Sequence, residues 1–208
     1  MKLAFALLFA VALAATPLSP VWPNIFWQPF NEKTVDPKVG VHYNTGTYYY
    51  NYNLPASRVD RSNGQYDSFC GIGGPYANKS TPCTHFVVGG NRYLYYPDLN
   101  QCCFCCNSTM GCGVLLPNWM QNSTYINTEV HEGILTYKWE KTGGQQNYLY
   151  ETVNNVPTSR VTVSIYEEPN NFMDFSHRNE TLPTGIMNLP SICNLQNTCN
   201  WGFCQNLR

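Results

Sequence analysis

The sequence predicts an all-β domain with little helix, built from antiparallel strands and held together by disulfides. Short segments rich in Tyr, Val and Thr alternate with turns of Gly, Pro and Asn, a pattern typical of antiparallel sheets. Ten cysteines, an even number, fit a disulfide framework. No stretch shows the sustained 3.6-residue periodicity of a long amphipathic helix.

Residues 1–15 have the features of a secretory signal peptide. The basic residue Lys2 precedes the apolar run Leu3–Leu13, and an Ala-x-Ala site lies at Ala12–Ala14. The run is too short to cross a bilayer of about 30 Å as a helix. A buried N-terminal helix or anchor is the alternative. The interpretation as a signal peptide predicts a secreted, extracellular protein that matures in an oxidising compartment.

Residues 16–42 are expected to form an extended N-terminal arm. Prolines recur between Pro17 and Pro29, interleaved with aromatic residues such as Trp22 and Trp27. Proline lacks the amide hydrogen that a helix or a central strand uses, so we expect neither structure here. The aromatic side chains would pack across the domain, or alternatively anchor the protein to a membrane or a partner.

Residues 43–193 are expected to form a single antiparallel β domain, and residues 194–208 a cysteine-bearing C-terminal tail. Asn63-Gly64 is a strong hairpin signal that predicts a return strand over Gln65–Cys70. Beyond Glu168 the pattern indicates mostly loop. The other predicted strands are Thr47–Tyr52, Ser57–Arg61, Thr84–Val88, Arg92–Tyr96, Tyr125–Val130, Gly133–Trp139, Asn147–Val153 and Arg160–Tyr166.

Five of the ten cysteines lie between Cys102 and Cys112. Consecutive Cα atoms are about 3.8 Å apart, closer than the usual 4.4–6.8 Å of a disulfide. Adjacent cysteines in this segment are therefore expected to find distant partners. On a strand, Cys103 and Cys105 would face one side, and Cys102 and Cys106 the other. The segment would then tie together elements on both sides of the sheet.

A metal site is the alternative for this segment, because reduced thiols in such density bind zinc or copper. The second separated pair of a structural zinc site is missing, although Cys199 and Cys204 have the spacing of one half-site. In a secreted chain we favour disulfides, with Cys70 and Cys83 closing the loop between them. The cysteines expected in disulfides are Cys70, Cys83, Cys102, Cys103, Cys105, Cys106, Cys112, Cys193, Cys199 and Cys204.

Four Asn-x-Ser/Thr sequons lie in polar stretches between apolar segments, which predicts a glycoprotein if the source is a eukaryote. The expected glycosylation sites are Asn78, Asn107, Asn122 and Asn179.

Several classes of function are poorly supported by the sequence. A formal net charge of −1 without a Lys/Arg cluster argues against nucleic acid as a partner. None of the four histidines lies in a His-Glu-x-x-His motif, and the Gly-x-Ser-x-Gly elbow and the P-loop are missing. His131 and Glu132 are adjacent, so on a strand they would point to opposite faces. We therefore predict a protein that is not an enzyme, with no cofactor and no metal.

The tyrosine-rich strands indicate a covered sheet. In Arg160–Tyr166 the alternation is regular and places Val161, Val163 and Ile165 inward. In other strands large side chains point to both faces, so the second face needs a further layer or a bound apolar ligand. A two-layer sandwich is the alternative. The residues expected to line a ligand pocket are Tyr48, Tyr50, Tyr93, Tyr95, Tyr137, Trp139, Tyr148 and Tyr150.

Several segments between Tyr43 and Cys193 resemble ependymin-related secreted proteins. The resembling segments are Tyr50-Asn51-Tyr52, Arg58-Val59-Asp60, Pro117-Asn118-Trp119 after the cysteine-rich segment, Tyr125, Gly133, Trp139, Asn147–Glu151 and Leu189–Cys193. The resemblance implies a strongly curved antiparallel sheet, like the half-barrel of bacterial lipoprotein carriers, with a pocket for lipid-like ligands. It also implies glycosylation and an association with calcium and with extracellular matrix or lysosomes.

The function predicted from the sequence is the binding of a hydrophobic, lipid-like ligand in a cavity lined by the sheet. The extracellular matrix and the membrane surface are further candidate partners. The alternative is a cysteine-rich extracellular structural or adhesion protein without a pocket. A third hypothesis is a hydrolase or protease-associated module whose site the sequence does not reveal.

Overall fold

The computed structural model describes residues 16–38 and 40–207, so the expected signal peptide lies outside the described residues. Within them the fold is nearly all β, with one short α-helix, α1, at Gly202–Asn206. The strands are β1 (Ile25–Asp36), β2 (Gly40–Asn51), β3 (Ala56–Arg61), β4 (Cys83–Val88), β5 (Asn91–Tyr96), β6 (Gln101–Asn107), β7 (Thr124–His131), β8 (Ile134–Thr142), β9 (Gln146–Thr152), β10 (Thr162–Glu168) and β11 (Asn171–Phe175).

All eleven strands form one antiparallel sheet in the order β6-β5-β4-β3-β2-β1-β11-β10-β9-β8-β7. The sheet is not closed, because β6 and β7 lie at opposite edges. This architecture confirms the predicted all-β, antiparallel, disulfide-stapled fold. In the part of the chain that is described, no helix is long and apolar enough to cross a membrane.

Two observations require the sheet to curl strongly. Strands β6 and β7 would be roughly 48 Å apart in a flat sheet, at about 4.8 Å per strand. Residues 108–123 connect them although this segment contains turns and is far from fully extended. In addition, Glu167 of β10 and Phe203 of α1 line one groove, although α1 contacts β6, which is seven strands from β10 in the sheet order. Both observations bring the two halves of one face toward each other.

The two faces of the sheet differ in what covers them. Cross-strand partners share a face, so Phe26 pairs with Tyr50 on the face that we call the inner face. Leu94 on β5 and Leu149 on β9 are fully buried on this same face. We call the opposite face, which carries Phe86 and its neighbours, the outer face.

The structure differs from the expected arm over residues 16–42, because Ile25–Asp36 is the central strand of the sheet. Proline is tolerated at Pro29 because its nitrogen points to the side of β11, where that strand has already ended at Phe175. The Pro29 carbonyl accepts a hydrogen bond from the Ser176 amide at 2.9 Å. Proline therefore fits inside this strand at the position where the neighbouring strand has ended.

Two further local expectations were wrong. Residues 65–70 form turns and no return strand, because the Asp67 carboxylate accepts hydrogen bonds from the backbone amides of Phe69 and Cys70 at 3.0 and 2.8 Å. Such an Asx turn competes with an extended strand. Beyond Glu168, where loop was expected, β11 pairs with β1 and β10.

A β-bulge overturns the alternation expected along β10. The register with β9 shifts between Thr162 and Ser164, so Val163 is the extra residue. Thr162 and Ile165 consequently share the inner face, and Ser164 is buried on the outer face with no exposed surface. Bulges insert one residue and invert the side-chain parity beyond them, which an alternation pattern does not reveal.

The ten cysteines form five disulfides in the described chain: Cys70–Cys83, Cys102–Cys193, Cys103–Cys199, Cys105–Cys204 and Cys106–Cys112. Adjacent cysteines do not pair, and Cys70 closes its loop with Cys83 as expected. The parity of Cys106 was wrong, because a bulge opposite Arg92 turns both Cys105 and Cys106 to the inner side.

Candidate ligand-binding cavity

A partly enclosed apolar cavity of about 210 Å³ lies on the inner face. Its walls come from the strands at the centre of the sheet, and its roof comes from the connection between β6 and β7. The lining residues are Trp22, Phe26, Gln28, Tyr48, Leu115, Trp119, Asn147, Thr162, Ile165, Glu167, Met173 and Phe175. Binding sites of this kind are mostly apolar with a few convergent polar groups.

The roof is held down by hydrogen bonds at several points. The amide of Trp22 donates to the carbonyl of Pro117 at 2.8 Å, and the Tyr50 hydroxyl donates to the carbonyl of Leu115 at 2.8 Å. The Lys141 ammonium donates to the carbonyls of Trp119 and Gln121, the latter at 3.1 Å. The segment 113–123 is thus fastened both to the N-terminal residues and to β8.

Aromatic rings fill the space between the roof and the sheet. Trp22 makes edge contacts with Phe26, Tyr50 and Trp119, with ring centroids 5.4 to 5.5 Å apart. Neither the Trp22 nor the Trp119 indole nitrogen has a hydrogen-bond partner, although both are buried. A buried donor without an acceptor is costly, by about 1–3 kcal/mol. Because both nitrogens are inaccessible to solvent, the two tryptophans contribute apolar ring surface to the cavity.

The other end of the cavity is polar. The Gln28 amide donates to the carbonyls of Thr162 and Ser176 at 3.1 and 2.9 Å, which fixes its orientation. Burial raises the pKa of Glu167, although Arg61 counteracts this effect. The cavity therefore runs from an indole-rich apolar end to an end where a carboxyl group is held in a poorly solvated position.

A buried charged cluster lies next to this polar end. Arg61 donates through Nε and Nη2 to the two oxygens of Glu32 at 2.8 and 2.9 Å, and its Nε lies 3.4 Å from Asp67 Oδ2. His85 Nε2 lies 3.0 Å from Asp67 Oδ1. Burial alone would raise the pKa of Asp67, but Arg61 and His85 lower it well below its usual range. Burial lowers the pKa of His85, although Asp67 counteracts this effect.

The sheet separates the predicted pocket residues into two groups. The inner face carries Tyr48, Tyr50, Tyr137 and Trp139, and only Tyr48 among them lines the cavity. Tyr50 contacts the lining residues Trp22 and Phe26, and Trp139 packs with Met120 and Leu149 in an adjoining cluster. The outer face carries Tyr93, Tyr95, Tyr148 and Tyr150.

The outer-face tyrosines contact other parts of the chain. Tyr93 and Tyr95 pack with Phe86 beneath Cys193 and the C-terminal segment. Tyr150 stacks on His131 with ring centroids 3.8 Å apart. Tyr148 lies near the Lys138 ammonium, which is 5.0 Å from its ring centroid. The structure therefore does not bring these four residues to the cavity.

Among the lining residues that sequence reasoning missed are the two tryptophans at the apolar end. Trp22 lies in the aromatic and proline-rich stretch, and Trp119 in the segment after the cysteines, where a bend is expected. Both are aromatic residues outside the predicted strands. Their position over the sheet depends on the topology that places β6 and β7 at opposite edges, and no local pattern encodes that.

Other clusters of potentially reactive side chains lie outside the cavity. Cys70, Cys83 and His85 lie close enough to hold a metal ion, but the two cysteines are joined in a disulfide and offer no thiolate. His42 stacks on Tyr66, and His177 contacts Trp27 by its edge. A larger groove of about 720 Å³ near Lys33 and Asp174 is open and lined mainly by polar residues.

Comparisons with known proteins give a family but no curated relative. The family model described as "Domain of unknown function (DUF8395)" matches residues 84–193. No curated protein matches the sequence. Among solved structures, an uncharacterized conserved protein from Thermus thermophilus is similar, with a TM-score of 0.50 and 10% identity over 81% of this chain and 87% of that chain. This likeness concerns the fold alone.

Two further solved structures show weaker similarity. A LolA superfamily protein from Nitrosomonas europaea has a TM-score of 0.40 and 12% identity, over 81% of this chain and 92% of its own. A putative outer membrane lipoprotein-sorting protein domain from Vibrio parahaemolyticus has a TM-score of 0.39 and 6% identity, over 79% of this chain and 89% of its own.

Proposed function

The chain belongs to the family described as "Domain of unknown function (DUF8395)", and we propose that it is a secreted, non-catalytic protein that binds a hydrophobic, lipid-like ligand. The ligand would occupy the inner-face cavity. The closer kinship with ependymin-related proteins, the glycosylation and the association with calcium or extracellular matrix are parts of the same proposal.

The observation that carries the proposal is an apolar cavity enclosed between the inner face of the sheet and the roof segment 113–123. The cavity of about 210 Å³ is smaller than the roughly 300–1,000 Å³ of sites for drug-sized molecules, so it suits a single apolar chain or ring. The rings of Trp22, Phe26 and Trp119 would pack against such a molecule.

The composition of the lining supports binding rather than catalysis. Among the described residues that line the cavity, Glu167 is the single carboxylate, and no histidine, cysteine, serine or lysine contributes. Nucleophilic catalysis needs a nucleophile and a base within hydrogen-bond reach of each other. Five disulfides support passage through an oxidising compartment, as secretion requires.

The test is native mass spectrometry of protein secreted by eukaryotic cells, with the variant Ile165→Trp and the control Ile126→Trp. Ile165 lines the cavity, whereas Ile126 is exposed on β7. We expect a co-purifying lipid-like species on the native protein and on Ile126→Trp, and its loss from Ile165→Trp. Native protein without such a species, or Ile165→Trp that retains it, would contradict the proposal.

A second candidate function, adhesion through self-association, is favoured by the hairpin β7–β8. Its exposed apolar residues are Ile126, Val130, Ile134 and Leu135. They lie at the β7 edge of the sheet, where an unpaired strand can template another chain. Sedimentation velocity distinguishes the two functions, because adhesion through this hairpin predicts concentration-dependent large species that Val130→Lys removes.

A further inference from the structure

The turn between β7 and β8 brings together three potential metal ligands from distant parts of the chain. One ring nitrogen of His131 and one carboxylate oxygen each of Glu132 and Asp174 lie within 4.8 Å of one another. His131 ends β7, Glu132 lies in the turn, and Asp174 lies on β11. In the sheet order β7 and β11 are four strands apart, so the hairpin tip must fold back over the outer face.

Aromatic contacts hold the hairpin tip in that position. The His131 ring stacks on Tyr150 of β9, with centroids 3.8 Å apart and planes inclined by 13°. It also contacts Tyr166 of β10 by its edge, with centroids 5.4 Å apart. These contacts fix the imidazole plane against the sheet. Its nitrogen is therefore presented in a defined direction rather than on a free surface side chain.

Two hydroxyl groups connect the histidine with the aspartate. Ser164 Oγ lies 2.9 Å from His131 Nε2 and donates to Asp174 Oδ1 at 2.7 Å. The Tyr166 hydroxyl lies 3.2 Å from the same nitrogen and donates to the same oxygen at 3.0 Å. Ser164 is completely buried. Because both hydroxyls donate to Asp174, His131 Nε2 carries the ring proton and donates to them, so the nitrogen left to bind an ion is Nδ1. A hydrogen bond from the second ring nitrogen orients a histidine ligand and tunes its basicity.

The electrostatics of the cluster call for a cation. Glu132 and Asp174 place two carboxylates close together, and within residues 16–38 and 40–207 no Lys or Arg forms an ion pair with either. Like charges at this separation are unfavourable when solvent is partly excluded.

We propose that His131, Glu132 and Asp174 bind one divalent transition-metal ion of the Zn²⁺ type. One imidazole nitrogen with two carboxylate oxygens is a donor set for Zn²⁺, which in three-residue sites retains a position for water. The nitrogen ligand disfavours Ca²⁺ and Mg²⁺, which prefer all-oxygen sites. Glu132 is exposed to solvent, which gives the ion a path of entry.

The bound ion would clamp the tip of the β7–β8 hairpin onto β11. This role goes beyond ligand binding, because the cluster lies on the outer face and the apolar cavity on the inner face. The free energy of metal binding would add to the stability of the hairpin, since anything that binds the folded state alone shifts unfolding upward. The site is thus independent of whether a lipid occupies the cavity.

Isothermal titration of the full secreted protein with ZnCl₂, after removal of metal by a chelator, tests the proposal. We expect one site per chain at pH 7.5, at least tenfold weaker binding for Glu132→Gln and for Asp174→Asn, and no change for the control Glu129→Gln. Glu129 is a neighbouring carboxylate on β7 that pairs with Lys138 instead.

Misfolding would not explain a loss of zinc binding in Glu132→Gln, because the Glu132 side chain lies in an exposed turn. Unchanged near-ultraviolet circular dichroism in each variant confirms the fold. The proposal is overturned if saturable zinc binding is absent, if Glu132→Gln and Asp174→Asn bind as well as Glu129→Gln, or if CaCl₂ competes at equal concentration. Lipid retention is measured on the same samples with and without chelator, so failure of either proposal is recognised separately.

Discussion

Among the individual side chains, the most unusual feature is the charged cluster around Asp67 on the inner face. A buried ion pair is costly to assemble but is also costly to break, because its removal leaves one charge unpaired. Arg61 is tied to both Glu32 and Asp67, and Asp67 also contacts His85. Arg61 is 7% exposed and His85 6%, so solvent does little to screen these charges. The cluster therefore contributes a distinct dependence of stability on pH.

Acid should destabilise the protein through Asp67 and His85. A carboxyl whose folded pKa is lowered contributes stability above its unfolded value of 3.8, and that contribution is lost as the pH falls. Burial lowers the folded pKa of His85 below its unfolded value of 6.5, so the unfolded chain binds more protons as the pH falls and this residue also favours unfolding in acid. The contribution of these two residues to the free energy of unfolding should consequently fall from pH 7 to pH 3.

Asp67→Asn tests this account by urea unfolding with the disulfides intact. At pH 7 the variant should lose about 3–5 kcal/mol, as expected when one partner of a buried pair is removed. Between pH 5 and pH 3 it should lose less further stability than the native protein. Glu180→Gln is the control, since Glu180 pairs with Arg178 at the surface. Equal stability of Asp67→Asn and the native protein at pH 7 would contradict the prediction.

The sequons also differ in their surroundings. Asn78 and Asn122 are exposed. Asn107 is half-buried, and its side chain accepts hydrogen bonds from the amides of Thr109 and Met110. The backbone of the half-buried Asn179 pairs with β1. Because a glycan needs solvent room around the side-chain nitrogen, we expect higher occupancy at Asn78 and Asn122 than at the other two sites.

Glycopeptide mass spectrometry of the secreted protein measures this occupancy. Equal occupancy at all four sequons would show that attachment precedes folding so completely that native exposure has no influence. Reversed occupancy, with Asn179 filled and Asn78 empty, would contradict the packing described for these residues.

Among the structural elements, the decisive one is the roof segment 113–123. Its hydrogen bonds to Lys141 come from a single charged side chain, and bonds to charged groups contribute about 1.5–3 kcal/mol. Lys141→Ala should therefore loosen the roof without disturbing the sheet. We expect faster amide hydrogen exchange in residues 113–123 and roughly tenfold faster release of an apolar fluorescent probe.

Lys38→Ala is the matched control, because Lys38 is an exposed lysine in the turn after β1. Exchange and release rates in this variant should equal those of the native protein. If Lys141→Ala leaves both rates unchanged, the roof does not gate the cavity.

Strands formed by residues close in the sequence were predicted better than strands that depend on distant residues. Strands with regular β-forming segments and nearby turns, such as β4, β5 and β9, were predicted within a residue or two. Strand β1 was missed because prolines argue against a central strand. Pro29 is tolerated there because the neighbouring strand β11 has already ended at Phe175. β11 was missed because Asn171–Phe175 is short and gains its partners from β1 and β10.

The sequence predicted a cavity lined by the sheet, but it predicted few of the residues that line the cavity. Tyrosines on both faces did indicate a covered sheet, and Tyr48 does line the cavity. The alternation of side chains along a strand does not show which face of the sheet bears the cavity. Tyrosines of the inner and outer faces were therefore predicted together as pocket residues. Trp119 required knowledge of a crossing between opposite edges, and the cluster at His131 required a hairpin folded over the sheet. Both are long-range properties that one sequence pattern does not contain.

At the scale of the whole molecule, the two edges of the sheet differ in how they are covered. The C-terminal tail covers β6: the Phe104 amide donates to the Asn197 carbonyl at 2.7 Å, and the Cys199 amide donates to the Phe104 carbonyl at 2.9 Å. Two disulfides fasten this tail to β6, and a third attaches Cys193, the residue that precedes the tail. Covering an edge removes its capacity to pair with another chain. The cysteine-rich segment is therefore an edge strand with its cover attached covalently.

Removal of all three disulfides that hold the C-terminal residues on β6 should destabilise the protein more than removal of Cys106–Cys112. The three bridges close sequence separations of up to 99, and Cys106–Cys112 closes a separation of 6. In the chain-entropy model the difference in loop length corresponds to about 2.5 kcal/mol. A variant in which Ser replaces Cys102, Cys103, Cys105, Cys193, Cys199 and Cys204 is compared with Cys106→Ser/Cys112→Ser by urea unfolding. The first should also form dimers in sedimentation, because the released tail uncovers β6. Equal stability losses in the two variants, with both remaining monomeric, would mean that these bridges act through local packing and that the tail does not protect the edge.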